Sequence, residues 1–207
     1  MHPYETDPAE IYRKSFALIR HEADLSGFST ADQTIAARMI HACGQVDLLT
    51  DLIISPGAHR AGANALAAQA PILCDSAMVA AGLSHKIKNE KIVRIAAPET
   101  ARRASEINTT RSAAQVDAWL PDIDGALILI GNAPTALFRL LELLTENPAV
   151  RPALLVACPV GFVGAMESKA DLIASRPDFP FITVQGRRGG TPITAAALNA
   201  CALGPET

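Results

Sequence analysis

Three uninterrupted apolar segments in the second half of the chain are each followed by a turn of small residues and then by a helical pattern. These segments run over Ala126–Ile130, Ala153–Ala157 and Phe181–Val184. Continuous apolar strands of this length are typical of a parallel sheet that is covered on both faces. The pattern therefore predicts three strand–turn–helix units. In such folds ligands bind beyond the carboxyl ends of the strands, which is where these turns belong.

The first half of the chain also alternates between helical and strand patterns. Asp7 followed by Pro8 is typical of a helix start. Thr30–Gln33 has the form of a capping box for a second helix, which Gly44 would end. Further strands are predicted at 48–54, 72–74 and 91–96, and further helices at 58–69, 75–79 (capped by Asp75), 98–107 and 111–119. The whole pattern predicts a single domain over 1–207, a doubly wound α/β sandwich with a mainly parallel sheet.

The turns after the three long strands carry the first indication of a ligand. They cover Gly131–Thr135, Cys158–Gly164 and Gln185–Thr191, and each leads into a helix. A helix N-terminus preceded by glycine presents free N–H groups that suit an anion. Three such turns at one sheet edge predict a site for a large ligand with several negative groups.

Composition and charge exclude several classes of partner. The net charge is −3 and only 4% of the residues are aromatic, so we expect no nucleic-acid partner. The N-terminus is neither basic nor apolar, and no apolar run approaches the ~20 residues that span a bilayer, so we expect a cytoplasmic protein without a membrane partner. Four widely spaced cysteines predict reduced, mostly buried thiols, and we expect no metal site.

His41 is the strongest candidate for proton transfer. It lies in the last turn of the predicted helix that Gly44 ends, where the negative end of the helix dipole favours the imidazolium form by ~0.3–1 kcal/mol. A histidine held cationic near neutral pH is a good general acid. It shares a helix face with Arg38, off the apolar stripe. The alternative is a surface histidine that only complements the dipole.

Basic residues recur at the predicted ligand edge. Arg111 begins a predicted helix, Lys169 follows the second glycine turn, and Arg187 and Arg188 lie within the third. A positive charge at a helix start is unfavourable unless it meets an anion. Each of these could also be an ordinary solvated charge. The phosphate-binding glycine motifs of ATP and dinucleotide sites are absent.

Taken in order, several short motifs resemble the precorrin-8X methylmutase family over nearly the whole chain. They are Met39–Gly44, Ala70–Asp75, Thr110–Ser112, Gly131–Phe138, Pro159–Gly164 with Glu167–Lys169, and Gly189–Gly190 before Thr194. The resemblance implies a flavodoxin-like homodimer, an isomerase of cobalamin biosynthesis. Such an enzyme moves a methyl group from C11 to C12 of precorrin-8X and gives hydrogenobyrinic acid, with no metal or organic cofactor.

The resemblance also implies roles for individual residues. His41 would protonate the macrocycle and so promote a 1,5-sigmatropic methyl shift. A larger set of residues would bind the macrocycle and its carboxylates. Together with the positions above, this gives the substrate-binding candidates Ser15, Arg38, Arg111, Ser112, Asn132, Thr135, Gly161, Phe162, Ser168, Lys169 and Arg187.

Three positions depart from the family pattern, and other functions stay open. Thr109 stands where asparagine is usual, Met166 where a small residue is usual, and Arg188 where an apolar residue is usual. The segment around His41 resembles the aerobic, metal-free branch more than the anaerobic branch that acts on cobalt-precorrin-8. The remaining alternatives are a non-catalytic tetrapyrrole carrier and an anion- or nucleotide-binding domain.

Overall fold

The computed structural model describes residues 4–203, which form six strands and nine α-helices. The helices are α1 (Pro8–Glu22), α2 (Thr30–Cys43), α3 (Ala58–Ala67), α4 (Ala77–Ala81), α5 (Pro98–Glu106), α6 (Arg111–Asp117), α7 (Pro134–Glu146), α8 (Ala165–Ser175) and α9 (Thr191–Leu203). The strands are β1 (Leu52–Ile54), β2 (Ile72–Cys74), β3 (Lys91–Ile92), β4 (Leu127–Ile130), β5 (Leu154–Ala157) and β6 (Phe181–Val184). The three predicted strand–turn–helix units are confirmed.

All six strands form one sheet in the order β1-β6-β5-β4-β2-β3. β1 runs antiparallel to β6, and every other pair is parallel. The strand order reverses between β2 and β4, which are neighbours although β3 lies between them in sequence. The predicted α/β fold with a mainly parallel sheet is therefore confirmed.

Helices cover both faces of the sheet, as the apolar strands require. Alternate side chains of β4 enter opposite cores: Leu127 and Leu129 pack in the core that includes α2 and α9, and Ile128 and Ile130 in the core that includes α7. Because both faces are buried, the central strands β4 and β5 are apolar throughout instead of alternating with polar residues.

Local signals place most helix ends. Asp7 Oδ1 accepts a hydrogen bond from the Ala9 N–H at 2.9 Å and caps α1. Gly44 ends α2 in the left-handed conformation at φ 68°, which glycine adopts without strain. The capping box predicted at Thr30 is wrong by one residue, because the preceding Ser29 is extended and its Oγ accepts from the Asp32 N–H at 3.2 Å.

Two predicted strands are much shorter in the structure. The first residues of the predicted strand 48–54 belong to a 3-10 turn over Val46–Thr50, because the Asp51 N–H bonds back to the Leu48 carbonyl. Only its last three residues form β1. The segment 91–96 is a strand only at Lys91–Ile92. It lies at the sheet edge with the short β2 as its single neighbour, and the Arg94 N–H donates to the Gln115 side chain.

The cysteines are free, as predicted. Cys74, Cys158 and Cys201 are buried, and burial raises the pKa of each thiol to about 12, so they stay protonated and inert. Cys43 is half-buried. Between residues 4 and 203, no helix is long and apolar enough to cross a membrane.

Candidate active site

The turns at the carboxyl edge of the sheet touch one another. Thr110, which precedes α6, and Thr135, at the start of α7, are joined by a hydrogen bond of 2.8 Å between their hydroxyls. Gly164 approaches Pro134 so closely that an added Cβ would lie 3.3 Å from its Cβ. The Gly161 N–H donates to the Arg187 carbonyl at 3.2 Å. The sheet therefore brings the predicted ligand-binding turns together along one edge.

A groove of about 300 Å³ lies at one end of this edge, where the C-terminus of α2 meets the turns after β5 and β6. It is open to solvent and mostly apolar. Its walls include Cys43, Gln45, Val160, Phe162, Arg187 and Gly189.

His41 lies on the last turn of α2, two residues before the groove residue Cys43. Its imidazole is exposed and stacks on the Phe16 ring, with 4.8 Å between centroids and 26° between planes. The edge of Tyr12 approaches the same imidazole at 6.0 Å. These α1 rings fix the plane of His41 while leaving it accessible, which is the geometry that a proton donor to a bound ligand requires.

Arg38 and Ser15 lie around the same aromatic pair. The guanidinium of Arg38 stands 5.8 Å from the ring centre of Phe16 and 5.9 Å from that of Tyr12. The half-buried Ser15 precedes Phe16 on α1, and its hydroxyl donates to the Ile11 carbonyl at 2.9 Å. Arg38 therefore shares its aromatic neighbours with His41, and a guanidinium or a hydroxyl can bind a carboxylate.

A second group of predicted site residues lies on the starts of α6 and α7. Arg111 is exposed at the first residue of α6, where the Thr110 hydroxyl accepts from the Ala113 N–H at 3.1 Å. Ser112 and Thr135 are half-buried, and the Asn132 side chain is exposed. Through the Thr110–Thr135 bond, the structure brings these four candidates to one surface.

One predicted anion site is already occupied by the protein itself. The buried carboxylate of Asp75 accepts from the N–H groups of Gly131 (3.2 Å), Asn132 (2.7 Å) and Ala133 (2.9 Å). The prediction that Asp75 caps the helix after β2 is wrong. The cap of α4 is Ser76, whose hydroxyl accepts from the Val79 N–H at 3.3 Å. Burial raises the pKa of Asp75, although the three N–H bonds oppose this shift. These backbone groups are therefore not free for substrate.

Apolar side chains stand exposed on the turn after β5. Phe162 and Val163 are 85% and 89% exposed, and the Arg187 guanidinium lies 5.3 Å from the ring centre of Phe162. Large apolar side chains grouped at a groove indicate a surface that a ligand or a partner covers. Phe162 and Arg187 offer a flat apolar face and a cation to the same ligand.

Ser168 and Lys169 face the interior. The Ser168 hydroxyl donates to the Ala165 carbonyl at 3.4 Å, and Lys169 Nζ donates to the Arg188 carbonyl at 2.6 Å; both side chains are fully buried. The structure thus does not bring them to the groove surface with the other candidates. Lys169 instead holds the turn that carries Arg187.

Arg188 fixes the same turn from the other side. Its Nη2 pairs with Asp47 at 3.0 Å and with Asp51 at 3.3 Å, which lie in and just after the 3-10 turn that follows α2. No local pattern in the sequence signals these pairs, because the charges are about 140 residues apart and meet only when β1 pairs with β6.

The buried lysine predicts a pH dependence of stability. Burial lowers the pKa of Lys169 to about 8 from its usual 10.5, so between these values the unfolded chain binds a proton that the folded chain does not. The free energy of unfolding is measured in urea for the wild type and for Lys169→Met. We expect the difference, wild type minus variant, to rise between pH 8 and 10.5. Lys86→Met, at an exposed lysine, controls for general effects of pH. A difference in free energy of unfolding that stays constant over this pH range would contradict the prediction.

Comparisons with known proteins agree on one family. A family model described as precorrin-8X methylmutase matches residues 10–203. The precorrin-8X methylmutase of Pseudomonas aeruginosa is 47% identical over 98% of this chain and 99% of its own length. The cobalt-precorrin-8 methylmutase of Priestia megaterium is 35% identical over 97% of this chain and 90% of its own. A solved precorrin-8x methyl mutase from Thermus thermophilus superposes with a TM-score of 0.85, at 36% identity over 94% of each chain. The chain belongs to the precorrin-8X methylmutase family.

Proposed function

We propose that this protein is an isomerase of cobalamin biosynthesis that converts precorrin-8X into hydrogenobyrinic acid. The observation that carries the proposal is the exposed imidazole of His41, which stacks on Phe16 in the last turn of α2, the helix whose C-terminus borders the groove. No group of three or more potential metal ligands occurs among residues 4–203.

His41 is the proposed acid. Protonation of the macrocycle promotes the 1,5-sigmatropic shift, in which the bond from the methyl group to C11 breaks as the bond to C12 forms. Because the reaction is an isomerisation, the proton returns and the enzyme ends each turnover unchanged. The exposed imidazole is the group from which the proton is given.

The remaining site residues hold the ring. Precorrin-8X carries acetate and propionate groups around a large macrocycle, and the structure distributes cations and hydroxyls along the whole edge. Those that reach the surface are Ser15, Arg38, Arg111, Ser112, Asn132, Thr135 and Arg187. Phe162 and the Gly161 turn offer an apolar face to the macrocycle, and the buried Lys169 fixes the neighbouring turn that carries Arg187.

A homodimer fits the incomplete site. The groove of about 300 Å³ is at the small end of the range for ligand pockets. With the exposure of Phe162 and Val163, this supports a second subunit that closes over the bound ring. When β1 is left out and the five parallel strands are renumbered along the chain, their order is 2-1-3-4-5, which supports a flavodoxin-like single domain. A location in the cytoplasm is part of the same proposal.

The comparisons favour the metal-free substrate over cobalt-precorrin-8. Identity is 47% to a precorrin-8X methylmutase and 35% to a cobalt-precorrin-8 methylmutase, both over nearly the full chain. A carrier that binds the ring without changing it is the alternative from a different class.

An absorbance spectrum tests the function directly. Purified protein is incubated with precorrin-8X, and in parallel with cobalt-precorrin-8. We expect precorrin-8X to give the hydrogenobyrinic acid chromophore, and to be converted faster than cobalt-precorrin-8. Faster conversion of the cobalt substrate would assign the anaerobic branch. A bound but unchanged precursor would indicate a carrier, and no spectral change at all would overturn the proposal.

Arg111→Ala is expected to weaken ring binding while leaving the fold intact. Arg111 is exposed and α6 keeps its Thr110 cap, so the variant loses a charged contact without an internal one. Loss of one charge-assisted hydrogen bond corresponds to about a tenfold higher Kd for hydrogenobyrinic acid in an absorbance titration. Arg102→Ala, at an exposed arginine of α5, is the matched control. An unchanged Kd in Arg111→Ala would remove this residue from the carboxylate site.

A further inference from the structure

A buried polar connection runs beneath the surface on which Arg111 and Thr135 lie. Asp75 immediately follows β2, and its carboxylate is fully buried on three N–H groups of the turn after β4. β2 and β4 are the strands between which the sheet order reverses. This is the position where open α/β sheets usually bind a ligand, and here a side chain of the protein fills it.

Gln115 extends this connection to α6. Its side chain is fully buried, its Nε2 donates to the Asp75 carbonyl at 2.9 Å, and its Oε1 accepts from the Arg94 N–H at 3.3 Å. Gln115 lies four residues after Arg111, one turn along the same helix. The position of Arg111 relative to β2 is therefore set by the Gln115 amide.

The two helix starts are linked both at the surface and below it. At the surface, the Thr110 and Thr135 hydroxyls are 2.8 Å apart. Below it, Asp75 holds the turn before α7 through its carboxylate, and holds α6 through its carbonyl and Gln115. One buried residue thus fixes both segments that present carboxylate-binding groups to the substrate.

We propose that Asp75 and Gln115 are positioning residues for substrate binding, which set the spacing between Arg111 on α6 and Thr135 on α7 so that both bind carboxylates of one ring. The inference rests on the proposed function and deepens it. Neither residue touches the ring. Since His41 belongs to a different helix on the other side of the sheet, this spacing governs affinity and leaves the proton transfer unchanged.

Asp75→Asn tests the inference, because the amide keeps the shape of the side chain but presents an NH₂ group where a carboxylate oxygen met an N–H. We expect the Kd for hydrogenobyrinic acid to rise about tenfold, with kcat at saturating precorrin-8X within about threefold of the wild type. Thr183→Val removes another fully buried side-chain hydrogen bond, to Ala157, away from α6 and is the matched control.

The double variant separates positioning from a general loss of stability. If Asp75 acts through Arg111, Asp75→Asn weakens binding little further once Arg111→Ala is present, because coupled residues are not additive. Fold-changes that multiply, or Asp75→Asn binding like the wild type, would overturn the inference.

A second variant covers a failure of Asp75→Asn to fold. Gln115→Met keeps the side-chain volume and leaves the Asp75 carboxylate in place, and the same rise in Kd and the same lack of additivity with Arg111→Ala are expected. Normal binding by Gln115→Met would overturn the inference. A wild-type protein that does not bind hydrogenobyrinic acid would overturn the proposed function itself, a result visible before any variant is made.

Discussion

His41→Ala is expected to abolish isomerisation of precorrin-8X while the protein stays folded and still binds the ring. General acid catalysis contributes about 10²–10⁴-fold to a rate, so kcat should fall by at least about 100-fold. The imidazole is exposed, and its ring contacts are with Phe16 and the edge of Tyr12, both on α1. Its removal should therefore cost no more than about 1 kcal/mol of the free energy of unfolding.

The measurement is the rate at which the hydrogenobyrinic acid chromophore appears, with ring binding followed in the same spectra. His21→Ala is the matched control, since His21 is an exposed histidine in the last turn of α1. It should react at the wild-type rate. Normal turnover by His41→Ala would remove His41 from the mechanism, whereas loss of ring binding together with turnover would assign it to binding.

Gly189→Ala is expected to destabilise the protein by about 3 kcal/mol and to open the groove. A Cβ on Gly189 would lie 2.2 Å from the Cys158 carbonyl oxygen and 2.6 Å from that of Pro159. Both are backbone atoms, which cannot move away as a flexible side chain can. The turn after β6 would have to separate from the turn after β5, breaking the 2.8 Å bond from the Gly190 N–H to the Cys158 carbonyl.

Urea unfolding measures the loss, and Gly27→Ala is the matched control. A Cβ on Gly27 would meet no atom within 4 Å, and its backbone is outside the left-handed region. We expect its free energy of unfolding to stay within about 1 kcal/mol of the wild type. Equal stability of the two variants would show that the β5 and β6 turns are not packed backbone to backbone.

Much of the site could be predicted because its signals are local. His41 is identified by its place in the last turn before the Gly44 stop. The glycine turns follow strands whose unbroken apolar runs indicate a sheet buried on both faces. Parallel pairing then places those turns at one edge, and their observed contacts confirm this.

Other features depend on contacts between distant segments. The sequence predicts that Asp75 caps the next helix, since Asp before a helical pattern is a common cap. Only the pairing of β2 with β4 shows that its carboxylate faces the Gly131 turn instead. Likewise, Ser168 and Lys169 follow a glycine turn in sequence, which suggests that they face a ligand. Only the packing of α8 shows that their side chains are buried.

By itself the sequence determined the alternation of strands and helices, the turns that gather at the carboxyl edge, the candidate acid His41 and the family. These follow from hydrophobic period, caps and short motifs, which act over a few residues. The tertiary structure alone decided which polar groups meet substrate and which meet the protein. Asp75 fills an anion site and Lys169 holds a turn because a buried charge must find its partner wherever the fold brings one.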